Sequence, residues 1–139
     1  MTRIRTRKRN RKGAATVEFA LCLPILLTFI FGILEFSRVT QLQQSARLAA
    51  FEGARAGISL DATTSDVTTA VNKVMSAMSI SNFTTTITPN PVTYSSPSIS
   101  VSVALKPTQN AWFTTYVGSG STINANVTLQ REVNGISVP

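Results

Sequence analysis

The chain has 139 residues, about one domain's worth, and only 14% of them are charged, with thirteen Lys/Arg against six Asp/Glu for a formal net charge of +7. It has no histidine and a single cysteine, Cys22, which excludes histidine-based triads, most zinc and haem ligation, and an internal disulfide framework. The charge is local: Arg3, Arg5, Arg7, Lys8, Arg9, Arg11 and Lys12 crowd the first twelve positions, and from Gly13 onward basic and acidic residues cancel.

Behind that basic arm, residues 14–34 hold one charge, Glu18, and residues 19–34 hold none. A bilayer needs roughly 20 mostly apolar helical residues, so this stretch is long enough to span. The positive-inside rule keeps the arm in the cytoplasm and sends everything after about Glu35 to the outside. The arm is then set against the membrane face, which makes lipid a partner and argues against nucleic acid; no aromatic residue interleaves the basic ones to stack on bases. A cleaved secretory signal fits poorly, because the apolar run is long and no A-x-A follows closely. An uncleaved bitopic anchor fits the hydropathy but leaves Glu18 unexplained, since a carboxylate in hydrocarbon costs about 2.5–3.5 kcal/mol and calls for a partner.

A cut between Gly13 and Ala14 accounts for all three features. It removes the basic arm, makes Glu18 the fifth residue, and supplies an α-amino group at Ala14 of a neighbouring subunit to pair with that carboxylate. Glycine before the cut lets an extended backbone enter a protease cleft. Basic leader, Gly13 and then Ala14-Ala15-Thr16-Val17-Glu18-Phe19 together resemble a class III prepilin signal. The wider string Arg11 to Leu21, Leu23-Pro24, Gly32-Ile33-Leu34-Glu35-Phe36 and Ala46 to Arg55 resembles the TadE-like pseudopilins of tight-adherence (Tad/Flp) pilus systems. The resemblance covers about residues 8–57. It implies a structural role in pilus assembly, with a prepilin peptidase, other Tad pilins or pseudopilins and the assembly platform as partners. The sizeable tail favours a minor pilin or pseudopilin over the bulk subunit. Gly13 and Ala14 flank the scissile bond, and Glu18, Phe19, Pro24 and Glu35 are the candidates for subunit register and assembly.

Pro24 lies mid-span, where it cannot donate to the carbonyl of Ala20, a kink that a membrane helix tolerates. Beyond the membrane, a helical projection of residues 32–57 puts Gly32, Phe36, Val39, Leu42, Ala46, Ala49, Ala50, Gly53, Ala54 and Gly57 on one arc. Glu35 falls on it too, with Arg38 its nearest partner in the chain. Ala46-x-x-x-Ala50, Ala49-x-x-x-Gly53 and Gly53-x-x-x-Gly57 let helix backbones approach closely. Two accounts stand for this arc: a helix–helix seam with another subunit, Leu48 and Phe51 then receiving the head, or packing beneath the protein's own sheet. Gly57 is a natural helix stop; from Ala14 to there the helix is about 65 Å long at 1.5 Å per residue.

Residues 58–65 read as a connector. Thr64 or Ser65 caps a second helix with Val67, Ala70, Val71, Val74 and Met78 on one face. Residues 99–105 alternate strictly as a strand, Ile123, Ala125, Val127 and Leu129 alternate likewise, and residues 83–87 form a weaker strand. Pro89, Pro91 and Pro97 mark a loop. Trp112, Phe113 and Tyr116 are expected to cap a thin core. The chain is thus expected to be α+β: a basic leader (1–13), a long helix (14–57, transmembrane over 14–34), and an extracytoplasmic, pilin-like head (58–139) with a small antiparallel sheet. It is expected to sit in a bacterial inner membrane as a single pass, possessing no cofactor, no metal and no catalytic residues, because the remaining acids are scattered and the serines have no base beside them.

Overall fold

The computed structural model describes residues 11–93, 95–110 and 120–131. Arg3, Arg5, Arg7, Lys8 and Arg9 of the leader, the side chains of Arg11 and Lys12, and Trp112, Phe113 and Tyr116 lie outside the described residues. The chain divides into two units, Met1–Glu35 and Phe36–Pro139. Helix α1 (Arg11–Gly57) contributes to both, and the second unit adds α2 (Thr64–Ala77), β1 (Phe83–Thr88), β2 (Ser98–Leu105), a single 3-10 turn (Pro107–Gln109) and β3 (Ile123–Gln130).

In the second unit the three strands form an antiparallel meander in the order β1-β2-β3. Its register stacks inward residues in rows: Phe83, Leu105 and Ile123; Ile87, Val101 and Val127. The strict alternation of residues 99–105 makes β2 the central strand, with Ile99, Val101, Val103 and Leu105 all buried. The opposite face carries hydroxyls and amides, among which the Ser100 hydroxyl donates to Asn126 Oδ1 at 2.8 Å and the Thr128 hydroxyl donates to Ser100 Oγ at 3.0 Å. A strand with one apolar and one polar face is what a sheet covered on a single side requires.

The cover comes from two helices. Leu42, Ala46, Ala49, Ala50 and Ala54 of α1 join Val67, Val71 and Met75 of α2 and the inward residues of the sheet in one core. Ser45 is buried among them because its hydroxyl donates to the Gln41 carbonyl one turn back, at 2.8 Å. The cap of α2 lies one position before Thr64 and two before Ser65, the two residues expected to supply it. It is Thr63, whose hydroxyl accepts from the Asp66 N–H while the Asp66 carboxylate accepts from the Thr63 N–H at 2.9 Å, a reciprocal capping box. Of the face expected for α2, Val67 and Val71 are buried, Ala70 and Val74 are partly so, and Met75 takes the buried place while Met78 is exposed at the cap. The helix closes with the Ile80 N–H on the Met75 carbonyl at 2.9 Å and Ser79 at φ 55°. That is a Schellman ending, with serine in the left-handed position usually given to glycine.

Candidate membrane-spanning and assembly segment

In the first unit the described part of α1 is an apolar helix exposed all round. Val17, Phe19, Leu21, Ile25, Phe29 and Ile33 are each more than half exposed. Alanine, leucine, isoleucine and phenylalanine supply the segment, and its one helix breaker, Pro24, is accommodated inside it. The Thr28 hydroxyl donates to the Pro24 carbonyl one turn back at 2.8 Å, so this side chain keeps its hydroxyl satisfied within the helix. Water is a poor solvent for such a surface: a helix hydrophobic all round belongs in a membrane or a large core. One helix, Gly13–Gly57, is long and apolar enough to cross a membrane, and none of its most apolar window is buried inside the protein. Glu18 lies on this surface, exposed, with no hydrogen bond or ion pair among the described residues. Gly13 and Gly32 stand in open space, where an added Cβ would meet nothing within 4 Å.

In the second unit the small-residue arc splits. From Leu42 to Gly57 it is buried in the protein's own core, so the second of the two accounts describes this stretch. A Cβ on Gly53 would lie 2.6 Å from Val71 Cγ2 and 3.3 Å from Val101 Cγ1; one on Gly57 would lie 3.0 Å from Val67 Cγ2 and 3.1 Å from Ile99 Cδ1. Both glycines are there for close approach. Ala46, Ala49 and Ala50 are likewise closed off beneath the head, which removes them and the two glycines from any seam with a neighbour. The upstream end behaves differently, with Phe36 67% exposed and Val39 and Glu35 partly buried. Leu48 and Phe51, expected to receive the head in the first account, instead face away from it and are 43% and 44% exposed. The reason is size: alanine and glycine let α2 and β2 come within reach of the helix backbone, and leucine and phenylalanine would hold them off.

Two arginines fasten this unit. Arg131, at the end of β3, donates from its guanidinium to the carbonyls of Gly57 (2.8 Å), Ile58 (3.2 Å), Ser59 (3.2 Å) and Thr93 (3.1 Å). The last carbonyls of α1 have no intrahelical donor, and a cation at that end also complements the helix dipole. So α1 does stop at Gly57, but its cap is a side chain from 74 residues away. Arg38 donates to the Asn110 carbonyl at 3.1 Å and to Gln41 Oε1 at 2.9 Å. Buried Asn110 in turn donates to the Asn82 carbonyl at 2.9 Å and accepts from the Asn82 N–H at 3.3 Å. No residue spacing announces these bonds, because most of their partners are backbone groups. Among the described residues no three Cys, Asp or Glu side chains converge as metal ligands would.

The exposed apolar helix with a lone carboxylate near its start, and the small-residue face that follows it, coincide with one known sequence pattern. Residues 13–55 match the family model for TadE-like protein. The match opens at Gly13 and covers most of α1, less than half of the chain, and leaves α2 and the sheet outside it. It ties this TadE-like segment to Tad pilus-related components, consistent with anchoring in a membrane by the N-terminal helix. Searches of curated proteins and of solved structures each returned no match.

Proposed function

We propose that the chain is a minor pilin or pseudopilin of a Tad-type pilus, inserted with its basic arm in the cytoplasm and its head outside, and cut by a prepilin peptidase after Gly13. The observation that carries this reading is the coincidence at one position: the TadE-like match begins at Gly13, where the basic arm ends and the exposed apolar helix begins. Glycine weakens a helix by about 1 kcal/mol relative to alanine, which favours local opening for the peptidase. After the cut, Glu18 pairs with the α-amino group of Ala14 on a neighbouring pilin, which offsets the cost of holding a carboxylate in hydrocarbon. Phe19, Pro24 and Glu35 then belong to the register of the packed helices. The protein's role is structural; it is the protease's substrate and has no chemistry of its own.

A second reading, an uncleaved bitopic anchor with a small extracytoplasmic interaction domain, draws on one observation: α1 already includes Arg11–Gly13, so the cut falls within a helix. Intact mass and N-terminal sequence of the protein from membranes, with and without an active prepilin peptidase, separate the two. A start at Ala14 that depends on the peptidase supports processing. A leader retained in both samples overturns it and leaves the anchor.

A further inference from the structure

With Ala46, Ala49, Ala50, Gly53 and Gly57 consumed by the protein's own core, the extracytoplasmic half of α1 has one long face left, and that face has a pattern. Leu48 and Phe51 are three apart, flanked by Arg47 before and Glu52 after. In seven-residue notation, placing Leu48 at a and Phe51 at d puts Arg47 at g and Glu52 at e. Gln41 and Gln44 fall at the preceding a and d. Most buried residues take the far side: Ala46 and Gly53 at f, Leu42 and Ala49 at b, Ala50 and Gly57 at c. Ser45 at e and Ala54 at g are buried as well, so at those two flanking positions the head closes in, and the pair left at the surface is Arg47 at g with Glu52 at e. Gln41, Gln44, Leu48 and Phe51 are all exposed. In the sequence the same spacing continues upstream through Ser37, Leu34, Ile30 and Leu27.

We infer that this outer face is a homotypic seam, on which a second copy of the chain lies parallel, Leu48 and Phe51 packing against Leu48 and Phe51 of the other copy. The occupant follows from charge and direction. In a parallel pair a g residue meets the e residue five positions later on the facing helix. Arg47 and Glu52 are five apart and of opposite sign, so one symmetric arrangement forms two interhelical ion pairs. An antiparallel arrangement sets g against g and e against e, which opposes like charges. Parallel is also the only direction open to copies inserted with the same topology, and on that point the inference rests on the proposed function. The present Glu52 contact, Arg55 Nη1 to Glu52 Oε2 at 3.9 Å, is long, with Arg55 exposed and Glu52 partly so, and is weak enough to be exchanged for another cation. Gln41 and Gln44 supply polar a and d positions, which fix register at some cost in stability. Two apolar layers make a weak pair in free solution; confinement of both copies to one membrane raises their effective concentration and completes it.

Cysteine cross-linking of the full chain in membranes tests this. In a Cys22→Ser background, Leu48→Cys and Phe51→Cys are compared with Lys73→Cys, an exposed position on α2. At least tenfold more disulfide-linked homodimer at 48 and 51 than at 73 is expected. Equal yields at all three, or cross-links at 48 and 51 only to a different protein, overturn the seam. Arg47→Glu or Glu52→Arg is expected to lower the Phe51→Cys yield severalfold, and the two together to restore it. Failure of the double exchange to restore it overturns the parallel register. Arg47, Leu48, Phe51 and Lys73 are exposed and Glu52 is partly buried, so a Glu52→Arg chain is first checked for the parent's circular-dichroism spectrum. The mass of each cross-linked band also reports the first residue: homodimers with an intact leader keep the seam and sink the processing, and chains starting at Ala14 without homodimers do the reverse.

Discussion

Gly53 of α1 sits so close to Val71 of α2 that a Cβ on the glycine would be 2.6 Å from Val71 Cγ2. The neighbour cannot simply swing aside. A β-branched side chain in a helix has one strongly preferred rotamer, and Val101 Cγ1 closes the other side at 3.3 Å. Gly53→Ala therefore sets two effects against each other. Removing glycine from a helix gains about 1 kcal/mol, and forcing a methyl into a filled core costs about 1–3 kcal/mol. At 2.6 Å something must shift, which places the cost in the upper half of that range. A net loss of about 1–2 kcal/mol is then expected, read as a lowered midpoint in thermal unfolding of the detergent-solubilised chain by circular dichroism. An unchanged or raised midpoint would show that helix and sheet have slack there. Gly32→Ala, with nothing within 4 Å, is the matched substitution without a clash.

Arg131 is the second point on which the head depends. Its guanidinium bonds four backbone carbonyls, those of Gly57, Ile58, Ser59 and Thr93. A hydrogen bond to a charged group contributes about 1.5–3 kcal/mol, and part of that returns from water at a half-buried site. Arg131→Ala is expected to cost about 2 kcal/mol and to expose the chain after Gly57 to limited proteolysis. Arg131→Lys should recover only part, since an ammonium lacks the planar fork that reaches several acceptors at once. Full rescue by lysine would mean that the helix dipole, and not the set of bonds, is what Arg131 answers.

These two features mark how far the sequence could be read. The alternation of residues 99–105 was legible because burial on one face of a sheet imposes a period of two, and it yields β2 with Ile99, Val101, Val103 and Leu105 inward. The apolar run from residue 19 to 34 was legible because an uninterrupted stretch of that length without charge is long enough to span a bilayer, where each charge is costly. The small face of residues 46–57 was legible as a face, but not as to what it meets, because alanine and glycine admit any close neighbour equally. The outward placing of Leu48 and Phe51 follows only once that neighbour is known. Arg131 and Asn110 left no trace, since a bond to a backbone carbonyl constrains the identity of no second residue. The cap of α2 was missed by one position among Thr63, Thr64 and Ser65, where three hydroxyls in a row all satisfy the same rule and only the Asp66 carboxylate three residues on picks the first.

Ser79 predicts a gain. It holds φ 55° at the end of α2, with Ile80 donating to Met75 behind it. Glycine adopts this conformation without the Cβ penalty, though it also costs entropy in the unfolded chain. Ser79→Gly is expected to raise stability by about 0.5–1 kcal/mol, a few degrees in the same melting experiment. A loss would indicate that the serine hydroxyl contributes more than the backbone strain costs.

The capping box gives a dependence on pH. The hydroxyl and the N–H of Thr63 both donate to the Asp66 carboxylate and hold its pKa below the ordinary value of 3.8. A carboxyl depressed in the folded state binds fewer protons there than when unfolded, so its stabilisation is complete above the unfolded value and fades as pH falls through the folded one. Lowering the pH below about 4 is thus expected to lower the melting midpoint more for the parent chain than for Asp66→Asn. Parallel curves for the two would show that the carboxylate half of the box contributes nothing in solution. Thr63→Ala, which removes the cap itself, is expected to cost about 1 kcal/mol at neutral pH.

Glu18 separates processing from assembly. Under the proposed function its carboxylate acts after the cut, on the α-amino group of a neighbour, and lies five residues from the scissile bond. Glu18→Gln keeps shape and removes charge, so the peptidase-dependent start at Ala14 should survive, and the amount of protein recovered with pili or in the assembled complex should fall at least tenfold. Leaving one charge of a desolvated pair alone costs about 3–5 kcal/mol, more than the 1.4 kcal/mol that a tenfold change represents. Glu18→Asp, with the charge kept but set back by one methylene, should fall between the two. If Glu18→Gln assembles as the parent does, the carboxylate is not the register element.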